Sequence, residues 1–470
     1  LRDMLFNSIA FLLFFPIVCV CYFALPSLKV RNLFLLAASY YFYMNWQPIY
    51  ALLLLTSTVI TYLAARGIGH FEDDRKKRAC LLTSLILNLG ILFLFKYYDF
   101  AAENVTSLLR VLGIAVDFPS FSMLLPVGIS FYTFQALGYS IDVYREKTPV
   151  EKDFFTYALF VSFFPQLVAG PIERSTNLLP QFKEKHSFCY EEVMAGFRLM
   201  LWGYFLKLAL ADRCAIYVDA IFNNVEQHNG GSFLLASLFF PFQIYGDFAG
   251  YSLVAIGVAR VLGFRLMENF RRPYFAASVT EFWRRWHISL STWFKDYVYI
   301  PLGGNRCGRY RQYFNVLTTF VVSGLWHGAN WTFLVWGTLH GVLQCVERAL
   351  GFHKVNWTGF RKFVHVFFTF CVVSLAWIFF RANNVSDAFT IIQGIFTDLK
   401  MPYLQLADFL AIGMALALLF LKECIDEFGW SMRISESPQW WLRHLYMVVM
   451  IVYIILLGVL NGDQFIYFQF

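Results

Sequence analysis

Charged residues are scarce in this 470-residue chain: they make up 15% of the sequence, whereas soluble globular proteins carry about 25%. Apolar residues make up 59%, and the mean hydropathy is +0.55. This composition excludes an ordinary soluble enzyme. Apolar runs such as residues 5–25 and 404–421 approach the roughly 20 residues that a helix needs to cross a bilayer. We therefore predict an all-α, polytopic membrane protein with about ten spans.

Several familiar signatures are also missing from the sequence. The short segments of alternating polar and apolar residues that build a membrane β-barrel are absent. The nine cysteines form no CxxC pair and no zinc spacing, so we expect no metal. No GxSxG, HExxH or Walker motif occurs, which argues against the hydrolase, zincin and P-loop classes. The chain has a net charge of +7 but no basic tail. Contact with anionic membrane lipids is therefore expected, and nucleic-acid binding is not.

The distribution of basic residues predicts a topology. The loop at residues 66–78 is rich in lysine and arginine, so the positive-inside rule places it in the cytoplasm. Counting spans from this loop puts the N-terminus outside, and a last span that rises from a basic loop leaves the C-terminus outside too. We expect one membrane domain over residues 1–460 and an extracytoplasmic tail at residues 461–470.

Three segments interrupt the pattern of simple spans. Residues 124–144 contain Pro126 and Gly128, which predict a broken or kinked helix. Two prolines and a glycine in residues 165–171 predict irregular backbone and favour a re-entrant segment. Residues 265–305 mix basic and aromatic side chains, which is typical of a helix that lies in the cytoplasmic interface.

His327 is the first candidate for chemistry. It lies in a nearly uncharged apolar run, where a histidine is costly unless it has partners or a function. A neutral imidazole can accept a proton from a nucleophile and return it. The small neighbours Gly324, Gly328 and Ala329 leave room for a ligand. The alternative is a core histidine that a neighbouring helix satisfies.

Other candidates lie in the basic segment and in the tail. His287 has polar neighbours, which favour an interfacial histidine unless it acts with His327. Tyr467 carries a hydroxyl that can be acylated if a base activates it, and it can equally anchor the tail at the membrane interface. Five basic residues suit the phosphates of a lipid or of a cofactor such as coenzyme A. They are Arg284, Arg285, Lys295, Arg306 and Arg309.

Taken together, five segments resemble the membrane-bound O-acyltransferase family, in its alginate O-acetylation branch. The resemblance covers essentially the whole chain and is specific because the motifs occur together. The segments are LLPVGISFYTFQALGYSIDVYR (residues 124–145), FFPQLVAGPIERS (163–175), EFWRRWHISLSTWFKDYVYIPLGGNR (281–306), SGLWHGANWTFLVWGTLHG (323–341) and the terminal FIYFQF.

The resemblance implies a helical ring around a central tunnel, with re-entrant or interfacial helices. It implies that His327 is the catalytic histidine and that His287 is a second signature residue on the cytoplasmic side. It also implies acetyl-CoA as the donor, and we expect its phosphates near Arg284, Arg285 and Arg306. The expected partner is an SGNH-type acetyltransferase that places the acetyl group on a polysaccharide outside the bacterial inner membrane.

The tail resembles the FxYxxF motif of the system that transfers D-alanine to teichoic acids, with Phe465, Tyr467 and Phe470 at the matching positions. This resemblance implies an acyl-tyrosine at Tyr467. One alternative is direct transfer to the acceptor, without a tyrosyl intermediate. A second is a transporter of an acylated carrier. A transporter would need paired intramembrane charges or inverted repeats, and we expect neither.

Overall fold

The computed structural model describes residues 4–121, 125–168, 170–352, 355, 357–403, 405–430 and 434–460, and these residues form helices and connecting loops without a strand. Several helices begin at a residue whose side chain caps the first turn. Ser8 accepts a hydrogen bond from the Phe11 amide at the start of the first helix, and Ser278 does the same for the Glu281 amide. Such caps satisfy amide groups that have no partner within a helix. The prediction of an all-α membrane protein is confirmed.

The chain divides into two compact units. The first contains Leu1–Phe197 and Ala255–Met267. Its buried polar side chains pair with one another, as when Asn88 accepts from Ser57 and donates to the carbonyl of Ser84. Its helices are α1 Ile9–Ala24, α2 Leu28–Met44, α3 Tyr50–His70, α4 Asp74–Leu92, α5 Tyr98–Val111, α6 Ile129–Tyr144, α7 Phe154–Ser162, α8 Phe164–Leu167 and α9 Ser175–Gln181.

The second unit contains Arg198–Val254 and Glu268–Phe470, and it holds both candidate histidines. Two helices, α10 Tyr190–Tyr204 and α12 Gly230–Val261, contribute residues to both units. The other helices of the second unit are α11 Asp212–Phe222, α13 Val279–Arg285, α14 Ile288–Phe294, α15 Arg309–His327, α16 Trp331–Leu350, α17 Gly359–Arg381, α18 Val385–Thr397, α19 Leu406–Phe428 and α20 Trp440–Leu457. That residues 1–460 form a single domain stays a prediction.

Among the described residues, six helical stretches are long and apolar enough to cross a membrane. The helix Ile9–Ala24 is also apolar but shorter. The expectation of about ten spans stays a prediction, because length and composition alone identify these six. The stretches are Tyr50–His70, Asp74–Val111, Tyr190–Phe222, Gly230–Val261, Gly359–Arg381 and Trp440–Leu457.

Two of these stretches contain paired charges. Lys207 forms buried ion pairs with Asp212 at 2.8 Å and with Asp247 at 2.7 Å. The expectation that such pairs are absent is therefore wrong, because the partners lie far apart in the sequence or on neighbouring turns of a helix and are brought together by folding.

The three irregular segments behave differently from one another. Gly128 has a φ of +74° and stands just before α6, so that helix begins at the glycine rather than breaking inside. Helices α7 and α8 are separated at Phe163, and the segment around this break is buried. Within residues 265–305, α13 and α14 have seven residues each, which is too short to cross a bilayer.

Candidate active site

The site is built on a hairpin of α15 and α16 that turns at Gly328. Two glycines let the helices approach closely: a Cβ atom on Gly324 would collide with the carbonyl of Phe333, and one on Gly337 with the carbonyl of Phe320. Small residues at such contacts are typical of helix pairs in membranes. Asn330 then begins α16 by accepting a hydrogen bond from the Thr332 amide at 3.0 Å. The hairpin therefore fixes the residues on both sides of the turn.

His327 is the last residue of α15, and only 2% of its surface is exposed. Its ring meets three aromatic neighbours edge-on. The ring centroids lie 5.0 Å from Trp326, 4.9 Å from Trp336 and 5.4 Å from Phe380. This enclosure keeps bulk water from the imidazole. An imidazole in such surroundings can exchange a proton with a bound reactant without competition from solvent.

His287 lies beside His327, with the two ring centroids 6.4 Å apart. It connects α13 to α14 in the left-handed region, at φ 42° and ψ 55°. The side chain is fully buried, and its ring packs edge-on against Phe248 at 4.5 Å. Burial lowers the pKa of His287 well below its usual value, so the imidazole is neutral at physiological pH. The polar sequence neighbours of His287 gave no sign of this burial, and its interfacial position stays a prediction.

A cavity of about 420 Å³ runs along α15, and its last lining residue on that helix is Ser323, one turn before His327. Aromatic side chains such as Trp283 and Phe320 form part of its wall, and Thr319 and Gln344 add polar groups. A second cavity of about 470 Å³ has basic walls that include Arg309. Four residues line both cavities: Thr280, Arg284, Asn305 and Arg348.

The basic residues predicted to hold phosphates have separate positions. Arg284 lines both cavities, whereas neighbouring Arg285 lines neither and forms ion pairs with Glu281 at 2.7 Å and Glu427 at 2.9 Å. Both arginines line a further cavity of about 410 Å³. Arg306 follows a residue of the cavity wall but is not among the described residues that line either cavity. Lys295 lines the first cavity.

Glu427 contacts three basic side chains. Arg285 and Arg272 donate hydrogen bonds to it, and Lys362 lies 3.6 Å away. Burial alone would raise the pKa of Glu427, but the hydrogen bonds from Arg285 and Arg272 lower it to about 2. This carboxylate therefore ties the end of α13 to the end of α19, and Arg285 is engaged in that tie.

Two residues of α16 were not among the predicted site residues. Arg348 donates to the Tyr299 hydroxyl at 3.0 Å and to Asn305 at 3.2 Å, at the boundary between the two cavities. His340 is fully buried and accepts a hydrogen bond from the indole of Trp283 at 3.2 Å. A spacing of four residues places several polar and aromatic side chains on one face of α16, and this periodicity could have identified them from the sequence. They are Trp336, His340, Gln344 and Arg348.

Tyr467 lies outside the described residues, so its position relative to His327 is not described. Within the described part of the chain, the arrangement has two chemically distinct parts. One is a water-poor pair of histidines, of which His287 is neutral, and it suits proton transfer to and from a hydroxyl nucleophile. The other is a cavity with arginines, which suits an elongated ligand that carries anionic groups.

Comparison with known proteins identifies the class of reaction. Residues 149–386 match the model of the MBOAT, membrane-bound O-acyltransferase family. The chain is 38% identical to “Probable alginate O-acetylase AlgI” of Pseudomonas putida, over 88% of this chain and 84% of that protein. It is 36% identical to the peptidoglycan O-acetyltransferase of Helicobacter pylori, over 83% and 80%. It is 27% identical to the teichoic acid D-alanyltransferase of Streptococcus thermophilus, over 55% and 69%.

These matches agree with the apolar helices and with the segments that contain both histidines. They support a multi-pass protein of the bacterial inner membrane that carries out O-acyl transfer. The chain belongs to the membrane-bound O-acyltransferase family.

Proposed function

We propose that this O-acyltransferase takes an acetyl group from cytoplasmic acetyl-CoA and supplies it for O-acetylation of a polysaccharide outside the membrane. The observation that carries the proposal is the cavity along α15, which has basic walls at one end and stops one turn before His327. The names of two relatives refer to alginate and to peptidoglycan, and these names support a glycan as the final acceptor.

The donor fits the chemistry of the cavity walls. Arg284, Arg309 and Arg348 offer guanidinium groups for its phosphates. The Nε atom of Arg348 is buried and has no hydrogen-bond partner among the described residues, so it can still donate to an anionic ligand. From Arg309 to His327 the α15 axis rises about 27 Å, at about 1.5 Å per residue. An elongated donor can therefore bind at the basic end and present its thioester near His327.

In the reaction, His327 acts as the general base. The oxygen of the attacking hydroxyl forms a bond to the thioester carbonyl carbon while its proton passes to the imidazole. The carbon–sulfur bond then breaks, and the imidazolium returns the proton to the departing thiolate. His287, which is neutral and adjacent, orients the reacting groups beside His327. These steps need no metal.

We further propose that the first acceptor is Tyr467. A phenol has a pKa near 10, so it needs a base such as His327 to act as a nucleophile at neutral pH. An aryl ester is more reactive than an alkyl ester, so the acetyl-tyrosine can pass its acetyl group to a serine of an extracytoplasmic SGNH-type partner. The FxYxxF pattern in the tail and the similarity to teichoic acid D-alanyltransferases support this route.

The test is the mass of the C-terminal peptide after purified protein is incubated with acetyl-CoA. One added acetyl group on Tyr467, absent in His327→Ala and in Tyr467→Phe, is the expected result. Tyr97→Phe is the matched control, because Phe95, Tyr97 and Phe100 follow the same pattern within a helical stretch. An unmodified tail in protein that still acetylates an added partner would favour direct transfer and would contradict the tyrosyl route.

A further inference from the structure

The backbone at His287 needs an external support. His287 occupies the N-cap position of α14, and within the described part of the chain its side chain makes no capping hydrogen bond. Its φ of +42° is uncommon for a residue other than glycine and requires stabilising contacts. The first amides of a helix also lack partners within the helix. Something other than the imidazole must therefore hold the start of α14.

Asn269 provides this support from a distant part of the sequence. Its backbone carbonyl accepts from the Ile288 amide at 2.9 Å. Its side-chain Oδ1 accepts from the Ser289 amide at 3.3 Å and from the Ser289 hydroxyl at 2.9 Å. Two of the first amides of α14 are thereby satisfied by one residue. Asn269 performs the function of an N-cap, and the imidazole of His287 is not needed for it.

The other end of the Asn269 side chain is held by α12. Its Nδ2 donates to the Ser252 hydroxyl at 3.1 Å. Ser252 lies one helical turn after Phe248, whose ring packs against His287. One face of α12 therefore supports the His287 ring directly and its backbone through Asn269. Asn269 is 1% exposed, so these hydrogen bonds do not compete with water.

We propose that Asn269 is a positioning residue that holds the His287 imidazole beside His327. The inference rests on the proposed function, because it assigns a use to the orientation of His287. The hydrogen bonds of the Asn269 side chain to Ser289 and Ser252 form what we call the Asn269 clamp. Without this clamp, residues 287–289 relax towards ordinary backbone angles, and the imidazole of His287 moves away from His327. A misplacement of about 1 Å in a catalytic group can lower a rate by roughly 10²-fold.

The primary test compares Asn269→Ala with Asn269→Asp in the purified protein. Asn269→Ala should lower kcat by roughly 10- to 100-fold, with the donor KM changed less than about threefold. Asn269→Asp keeps an acceptor for Ser289 and should retain kcat within about threefold, because aspartate is also a good N-cap. Asn88→Ala is the matched control, since it removes an equally buried amide from the first unit. It should leave kcat per folded molecule unchanged.

A double mutant separates positioning from general stability. If Asn269 acts through His287, adding Asn269→Ala to His287→Ala should lower the residual kcat by less than about twofold. A full multiplicative loss, or a wild-type kcat in Asn269→Ala, would overturn the inference. A wild-type kcat in His287→Ala would instead refute the proposed role of His287.

If Asn269→Ala does not fold, Ser252→Ala and Ser289→Ala replace it. Each removes one side-chain hydrogen bond of the clamp and leaves the helices intact. A lower kcat in both supports the inference, and a wild-type kcat in both rejects it.

Discussion

The α15–α16 hairpin carries different chemistry at its two ends. At the start of α15 and the end of α16, Arg309 and Arg348 line a polar cavity. At the turn, His327 and Trp336 meet in a dry aromatic enclosure. In the proposed reaction, this separation concentrates charge where the phosphates of the donor bind and keeps it from the imidazole that exchanges protons. The comparison teaches that one pair of helices can carry a basic cavity at one end and a buried aromatic enclosure at the other, which is the arrangement that the proposed function requires.

The largest expected effect comes from the dry end. His327→Ala should lower the rate of acetyl transfer by roughly 10²- to 10⁴-fold, which is the contribution of a positioned general base. The fold should persist, because the hairpin is held by Gly324, Gly337 and the Asn330 cap rather than by the imidazole. Radiolabelled acetyl transfer, with size-exclusion chromatography of the same preparation, measures both. Phe380→Leu, which alters the enclosure but keeps the base, is the control and should retain most of the rate.

A smaller effect is expected at the charged end, where two neighbouring arginines form a matched pair. Arg284→Gln should raise the donor KM by about 10-fold or more with little change in melting temperature, because a hydrogen bond to a charged group contributes about 1.5–3 kcal/mol. Arg285→Gln should mainly lower the melting temperature, because it breaks the ion pair with Glu427. Donor titrations and thermal melts of both variants test this. Equal shifts in KM would contradict the assignment of Arg285 to the α13–α19 tie.

The smallest expected effect is the pH dependence of the ion pairs that Glu427 forms with Arg272 and Arg285. The pKa of Glu427 is lowered from 4.5 to about 2, so its contribution to stability is fully present above pH 4.5 and is lost as the pH falls towards 2. The stability difference between the wild type and Glu427→Gln should be constant near neutral pH and should shrink in acid. Melts in detergent across this range measure it. A difference that grows in acid would contradict the account of Glu427.

The sequence was sufficient for the class of fold, because an apolar composition is a local signal. It also singled out His327, which the structure places in a buried aromatic enclosure, and the catalytic role of this residue stays a prediction. The sequence could not separate Arg284 from Arg285. Adjacent residues on a helix point in different directions, and the choice depends on Glu427, which is 142 positions away along the chain.

The burial of His287 escaped prediction for a related reason. Its immediate neighbours are polar, but its surroundings are set by a left-handed turn and by Asn269 and Phe248, which lie far from it in the sequence. Local periodicity contains no record of such tertiary contacts. The contact of His340 was equally hidden, because the hydrogen bond that it accepts from Trp283 spans 57 positions.

The most direct test of the separation between the two ends of the α15–α16 hairpin compares wild type, His327→Ala and Arg284→Gln. Calorimetry in detergent measures the binding of coenzyme A to each protein, and acetyl transfer is measured with the same preparations. The account predicts that His327→Ala binds coenzyme A with wild-type affinity but transfers acetyl groups roughly 10²- to 10⁴-fold more slowly, and that Arg284→Gln binds about 10-fold more weakly. Normal transfer by His327→Ala, or wild-type coenzyme A affinity in Arg284→Gln, would contradict it.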